Sequence, residues 1–166
     1  MTPEVGRLWP PTDRPTGALA QFASALNIGD IPSHTRERVK WIILDSIGCM
    51  VAGLDGEEIP QVEALAHAIG PTGRASVVGG GTLSLAAATF LNAYLLSAST
   101  AMDSYVPAAL HLTPETVPPA LAVAEQLRRT GSELIEAVAA GLETGVRIAK
   151  GLDLKAFRAR GWHAPG

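Results

Sequence analysis

Between Leu95 and His111 the chain reads LLSASTAMDSYVPAALH, which places Asp103, Ser104 and Tyr105 within nine residues of His111 and around Pro107. An imidazole titrates near neutral pH, and a carboxylate beside it fixes its tautomer and stabilises its charged form. Asp103 and His111 therefore have the makings of an acid/base pair for proton transfer. The same spacing also suits a loop histidine that bonds only to backbone. His163, in the turn-like ending Gly161-Trp162-His163-Ala164-Pro165-Gly166, carries the same two readings. His34, in the first turn of a helix, and His67, four residues after Glu63, read as surface residues. No two histidines have the spacing of a helical metal site, so no metal is expected.

Other motifs point away from common chemistries. The glycines of VVGGGT can cradle an anion at a helix start. No Walker lysine follows them and no G-x-G-x-x-G fits, so a strand-to-helix link is the expectation. Ser97, Ser99 and Thr100 form a hydroxyl cluster at a helix end, the usual place for capping. No G-x-S-x-G elbow supports a serine hydrolase.

Composition narrows the class further. The chain has 166 residues, 47% of them apolar, enough to bury the core of one domain. Its 16 acids and 13 bases give a net charge of −3 and no block of either sign, which argues against nucleic acid as a partner. Cys49 is the lone cysteine, so a disulfide framework is out and a reducing cytoplasm is the expected setting. No apolar run is long enough to suggest a membrane span, and the proline-broken start lacks a signal-peptide core. Residues 1–15 are expected to be a flexible arm and residues 16–166 one domain.

Periodicity and punctuation predict the elements that position the loop. TGALAQFASALN has helical spacing from Thr16. A second helix enters at Pro32 with the stripe Val39, Ile42, Ile43, Ile47, Met50 and Val51, and stops at Gly53. A third opens at Pro60 and closes at Gly70. RASVVGGG alone has strand character, so at most one short strand is expected. Leu83–Ala98, rich in small apolar residues, reads as a helix enclosed on most sides. The next helix is entered through prolines, presents Leu121, Val123, Ala124 and Leu127, and closes at Gly131. Thr130 with Glu133 makes a capping box for a final helix running on through GLDL. Five or six helices make the class mainly α, a helical bundle.

Taken in order, LDSIGCMVAG (44–53), GGGTLSLAAATFLNAYLLSAS (79–99), HLTPETVPPALAVAEQLRRTG (111–131), AAGLETGVRIAKG (139–151) and RGWHAPG (160–166) resemble the N-terminal part of the MmgE/PrpD family. That family includes 2-methylcitrate dehydratase, cis-aconitate decarboxylase and iminodisuccinate epimerase. The resemblance implies a helical domain that family members follow with an α+β domain, absent from this sequence. It further implies homodimers without metal or organic cofactor, and proton transfer next to the carboxylates of a di- or tricarboxylic acid. Counting from Asn92, Ser97 stands where the family pattern has His, and Thr100 where it has its first, catalytic Asp. Asp103 falls on the last Asp of the pattern, Ser104 keeps the hydroxyl of the following Thr, and His111 and His163 match the two later histidines. The family's catalytic lysines match nothing before residue 166.

The resemblance therefore implies His111, His163 and Asp103 as catalytic candidates, with Thr100, Ser104 and Tyr105 as substrate-binding candidates. The activity it implies is a dehydratase, decarboxylase or isomerase acting on a small carboxylic acid. One expectation is a subunit of a split enzyme, hetero-oligomeric with a second chain that supplies the missing part. Another is a divergent, homo-oligomeric member with a less charged pocket, because Thr100 can only donate or accept a hydrogen bond where the family has a carboxylate. The alternative is a non-catalytic helical interaction or metabolite-binding subunit.

Overall fold

The computed structural model describes residues 14–108 and 110–162. Most of the stretch expected as a lead-in, residues 1–13, and the candidate His163 lie outside the described residues. Helix α1 (Pro15–Ala25) begins inside that expected arm, with Pro15 in its first turn. There a missing N–H costs nothing, because the first amides of a helix have no intrahelical acceptor.

Five longer or equal elements build the bundle: α2 (Ser33–Ala52), α3 (Ile59–Ile69), α4 (Leu85–Ala98), α5 (Thr113–Leu127) and α6 (Gly131–Lys150). The mainly α class holds. Helix α4 is the centre, packed on α2, α3 and α5. Its buried residues Ala87, Ala88, Leu91, Asn92, Leu95 and Leu96 recur in adjacent pairs four apart, a stripe wide enough to face several neighbours. Ser84 caps it by accepting from the Ala87 amide at 3.3 Å. Gly53 and Gly70 end α2 and α3 as expected.

The single strand expected over RASVVGGG has a partner. Strand β1 (Ala75–Ser76) pairs antiparallel with β2 (Thr82–Leu83) across a turn in which Gly79, Gly80 and Gly81 all have positive φ. A lone strand would leave its amides unpaired; the hairpin closes with Val77 N–H donating to the Gly81 carbonyl at 3.2 Å. Asn92 pins it to α4, accepting from Val78 N–H at 3.0 Å and donating to the Ser76 carbonyl at 2.9 Å.

Four helix details depart from the expectation. Arg128, not Gly131, closes α5 in the left-handed conformation (φ 52°), while Gly131 becomes the first residue of α6 under the Thr130–Glu133 capping box. Helix α6 stops at Lys150, and Asp153 caps a separate α7 (Leu154–Ala159) through the amides of Lys155 and Ala156, which raises the count to seven among the described residues. Helix α5 buries Thr113, Pro114, Val117, Pro118 and Ala122, while Val123 and Leu127 of its expected face are exposed. In α2, Ser46 takes an inner position that Ile47 and Val51 were expected to share. Its hydroxyl donates to the Ile42 carbonyl at 2.7 Å, so burial leaves no polar group unpaired. No helix among the described residues is long and apolar enough to cross a membrane.

Candidate functional site

Helix α4 delivers the chain into the 99–112 loop through backbone capping. Ser97 and Ser99 donate to the carbonyls of Ala93 and Leu96, both at 3.0 Å, and Ser99 Oγ also accepts from Ala101 N–H. Thr100 takes the left-handed conformation (φ 54°) just past the helix end, a position that glycine or asparagine fills most easily. A β-branched residue there costs on the order of 1–3 kcal/mol, so the surrounding structure must hold it. The Ser97 and Ser99 hydroxyls thus serve the helix end, as their position suggests.

Tyr105 and Leu110 then pair antiparallel through their backbones, closing a small loop over a 3-10 turn at Val106–Ala108. This closure brings His111 back to Asp103. The imidazole Nδ1 lies 2.7 Å from the main-chain carbonyl of Asp103, not from its carboxylate. A carbonyl oxygen can only accept, so Nδ1 carries the proton and a neutral His111 keeps its lone pair on Nε2. The Asp103 carboxylate is engaged elsewhere, accepting from the buried Thr113 hydroxyl at 3.0 Å. The expected imidazole–carboxylate pair is therefore replaced by a carbonyl-held imidazole and a hydroxyl-held carboxylate.

Helix α6 fixes the exit of the loop. A side chain at Gly145 would come within 2.7 Å of a Leu112 methyl, and one at Gly141 within 2.6 Å of the Thr116 methyl. These two glycines let α6 approach the start of α5, which seats the His111-Leu112-Thr113 segment.

Across the loop, Asp103 joins Arg38, Trp41, Ile42 and Asp45 of α2 in lining a cleft of about 400 Å³. That is within the roughly 300–1,000 Å³ of small-molecule sites. Among the described residues Arg38 makes no ion pair, and a guanidinium can take a carboxylate in bidentate fashion. Sequence reasoning missed these residues. Their spacing, i, i+3, i+4 and i+7, is the signal that places them on one helix face, but a charged first turn reads equally as a solvated helix start. Of the candidates, Asp103 lines the cleft and His111 is tied to Asp103; Thr100, Ser104 and Tyr105 share the loop but do not wall the cleft. Arg38 also borders a second, largely apolar pocket of about 350 Å³ between α1, α2 and α6, with Phe22, Leu26 and Leu142 in its walls. His34 and His67 are exposed, as expected.

Comparison with known proteins adds an independent line. The family model described as the MmgE/PrpD N-terminal domain matches residues 17–166. A cis-aconitate decarboxylase-like protein from Aspergillus oryzae is 30% identical over 165 residues, covering 93% of this chain and 34% of the relative. A cis-aconitate decarboxylase from Aspergillus terreus is 32% identical over 157 residues, covering 89% of this chain and 31% of the relative. The chain thus spans about a third of the length of these curated relatives. No solved structure matches.

Proposed function

The chain belongs to the MmgE/PrpD family, and from that premise we propose that it contributes the histidine-bearing helical part of a lyase- or isomerase-type site. The chemistry is cofactor-independent proton transfer on a small carboxylic acid: decarboxylation, dehydration or epimerisation. In this reading Nε2 of His111 is the proton-transfer group, Arg38 receives a substrate carboxylate, and Asp103 positions the imidazole through its carbonyl. His163 stands as a second catalytic candidate, and Ser104, Thr100 and Tyr105 as substrate contacts that a bound acid would draw on. A second polypeptide, or a second copy of the chain, completes the site.

The observation that carries this reading is the Nδ1 bond of His111 to the Asp103 carbonyl, because it leaves Nε2 as an unprotonated base in the neutral form. The names of the relatives supply the substrate class to try first, a tricarboxylate such as cis-aconitate. The experiment follows CO₂ release and solvent deuterium uptake by candidate di- and tricarboxylates, with the chain alone and with any companion subunit. His111→Ala should lower either rate by about 10²- to 10⁴-fold. Arg38→Ala should chiefly raise KM. Turnover unchanged in His111→Ala removes the loop from the mechanism.

A second reading has its own support. The Asp103–Thr113 and His111–Asp103 bonds together knit the loop, and a histidine used that way serves a non-catalytic, metabolite-binding subunit equally well. Binding of a carboxylate that Arg38→Ala abolishes, with no exchange or turnover under any pairing of subunits, would select it.

A further inference from the structure

Arg38 belongs to two cavities at once. It walls the cleft that it shares with Asp103, and it borders the pocket of about 350 Å³ between α1, α2 and α6; Ile42 lines both as well. The second pocket is apolar because helix packing leaves its walls unfinished. Phe22 and Leu26 of α1, Ile42 of α2, and Leu142 and Val146 of α6 are each only half-buried, and all five line this one space. Three elements of one chain form the walls, so the shape is set without a partner. The volume is that of a small-molecule site, and apolar walls with a few polar groups at the edge are the composition such sites have.

Charge decides which small molecule fits. Three ionisable side chains border the pocket: Asp30, Arg38 and Glu143. Glu143 is already matched, accepting from Arg147 Nε at 2.8 Å, and Arg147 is itself laid over the Phe22 ring, 5.5 Å from its centroid. Asp30 accepts from the Asn27 amide at 3.1 Å. Arg38 makes no ion pair among the described residues. The Thr35 hydroxyl, one turn earlier on the same face of α2, adds a donor at the same edge. One carboxylate is therefore welcome at this edge. A second negative charge on the far part of the ligand would meet only apolar walls and the carboxylates of Asp30 and Glu143, so that part must be uncharged.

We infer that this pocket takes the alkyl tail of a carboxylic acid whose carboxylate is held by Arg38. The inference rests on the proposed role of Arg38 and narrows the substrate class to an acid with an apolar chain, rather than one charged at every end. Because Arg38 and Ile42 wall both cavities, an acid held this way lays its tail between α1 and α6 and its head toward Asp103 and the His111 loop. Chain length then sets specificity: each methylene moved from water into the pocket tightens binding about fourfold until the space is full.

The test is calorimetric titration of the full 166-residue chain with straight-chain alkanoates from butanoate to dodecanoate, each below its micelle concentration. Affinity should rise about fourfold per methylene and then level off, as a pocket of fixed volume requires. The alcohol of the same length as the tightest acid should bind about tenfold more weakly, and Arg38→Ala should erase that difference. Ala139→Leu and Val146→Phe, which fill the pocket from α6, should each shorten the longest chain that still adds affinity. Leu44→Asp, on the solvent side of α2, should change nothing, and circular dichroism checks that each variant is folded. Two failures are distinct. Affinity indifferent to chain length, or a gain that neither pocket-filling variant alters, overturns the inference even where a short di- or tricarboxylate turns over. Tail-dependent binding at Arg38 without turnover of any acid upholds the pocket and removes the proposed chemistry instead.

Discussion

Replacing Asn92 with leucine tests how the hairpin is held to the central helix. The side chain is 4% exposed and serves two backbone groups at once, the Val78 amide and the Ser76 carbonyl. Leucine has nearly the same volume, so the packing around α4 changes little and the cost falls on the two groups left behind. Each lost hydrogen bond is worth about 1 kcal/mol net, rising to about 1–3 kcal/mol where the abandoned group stays dry. Ser76 is exposed and its carbonyl recovers a bond from water; Val78 is half-buried and its amide does not recover fully. The sum is about 2–3 kcal/mol. For a chain of this size 1 kcal/mol moves the melting temperature by about 2–4 °C, so Asn92→Leu should lower it by about 4–12 °C. Hydrogen exchange adds a local signature: the Val78 amide should lose protection by more than the global destabilisation accounts for, because its acceptor is gone. An unchanged melting temperature, or a Val78 amide that stays as protected as its neighbours, would refute the reasoning.

Three further outcomes follow from the same geometry. Gly53→Ala should cost at least about 1–3 kcal/mol in urea unfolding, since a side chain there would lie 2.8 Å from the Leu95 carbonyl carbon and collide with its oxygen, whereas Gly29→Ala, facing open space, should stay within about 0.5 kcal/mol. Glu133 is held below the ordinary carboxylate value by hydrogen bonds from Thr130, backbone first and then side chain. Its stabilising contribution is therefore present above the unfolded-state pKa and lost as pH falls through the folded one, so an acid titration should show Glu133→Gln with a shallower loss of stability at low pH than the parent chain. Thr113→Val, nearly isosteric, frees the Asp103 carboxylate; it should destabilise by only about 0.5–1.5 kcal/mol, because Asp103 is exposed, yet nitrogen-15 spectra should show His111 losing its single Nδ1–H tautomer as the loop loosens.

Where the fold could be read in advance, a local residue choice decided the backbone. Gly53, Gly70 and the Thr130–Glu133 box end or begin helices through atoms within a few residues, so their sequence neighbourhood suffices. Arg128 closing α5 could not be read that way. The Thr130–Glu133 cap starts α6 at Gly131, and with only three residues between the helices some non-glycine position has to turn left-handed. Likewise Val123 and Leu127 carry the composition of a buried face, but the approach of α6 at Gly141 and Gly145 rotates the contact to Thr113, Val117 and Ala122. The second strand escaped because Thr82-Leu83 has no strand signature of its own; it is a strand only because Ala75-Ser76 needs a partner.

The site divides along the same line. That residues 99–112 form a loop between two helices is visible in the departure from helical spacing. Which oxygen of Asp103 meets His111 is not written in residue identity. It follows from the Tyr105–Leu110 backbone closure, which turns the main-chain carbonyl inward and leaves the carboxylate to Thr113. Arg38 is invisible for a further reason: it lines the cleft with Asp103 only when α2 packs beside the loop, and the two residues are 65 positions apart in sequence. The replacement of the family's carboxylate by Thr100 gains a physical cause as well. Thr100 turns left-handed just past α4 with its backbone N–H donating to the Ser97 carbonyl, so its backbone serves the helix end, and under the proposed function acid/base work falls to His111 and anion recognition to Arg38.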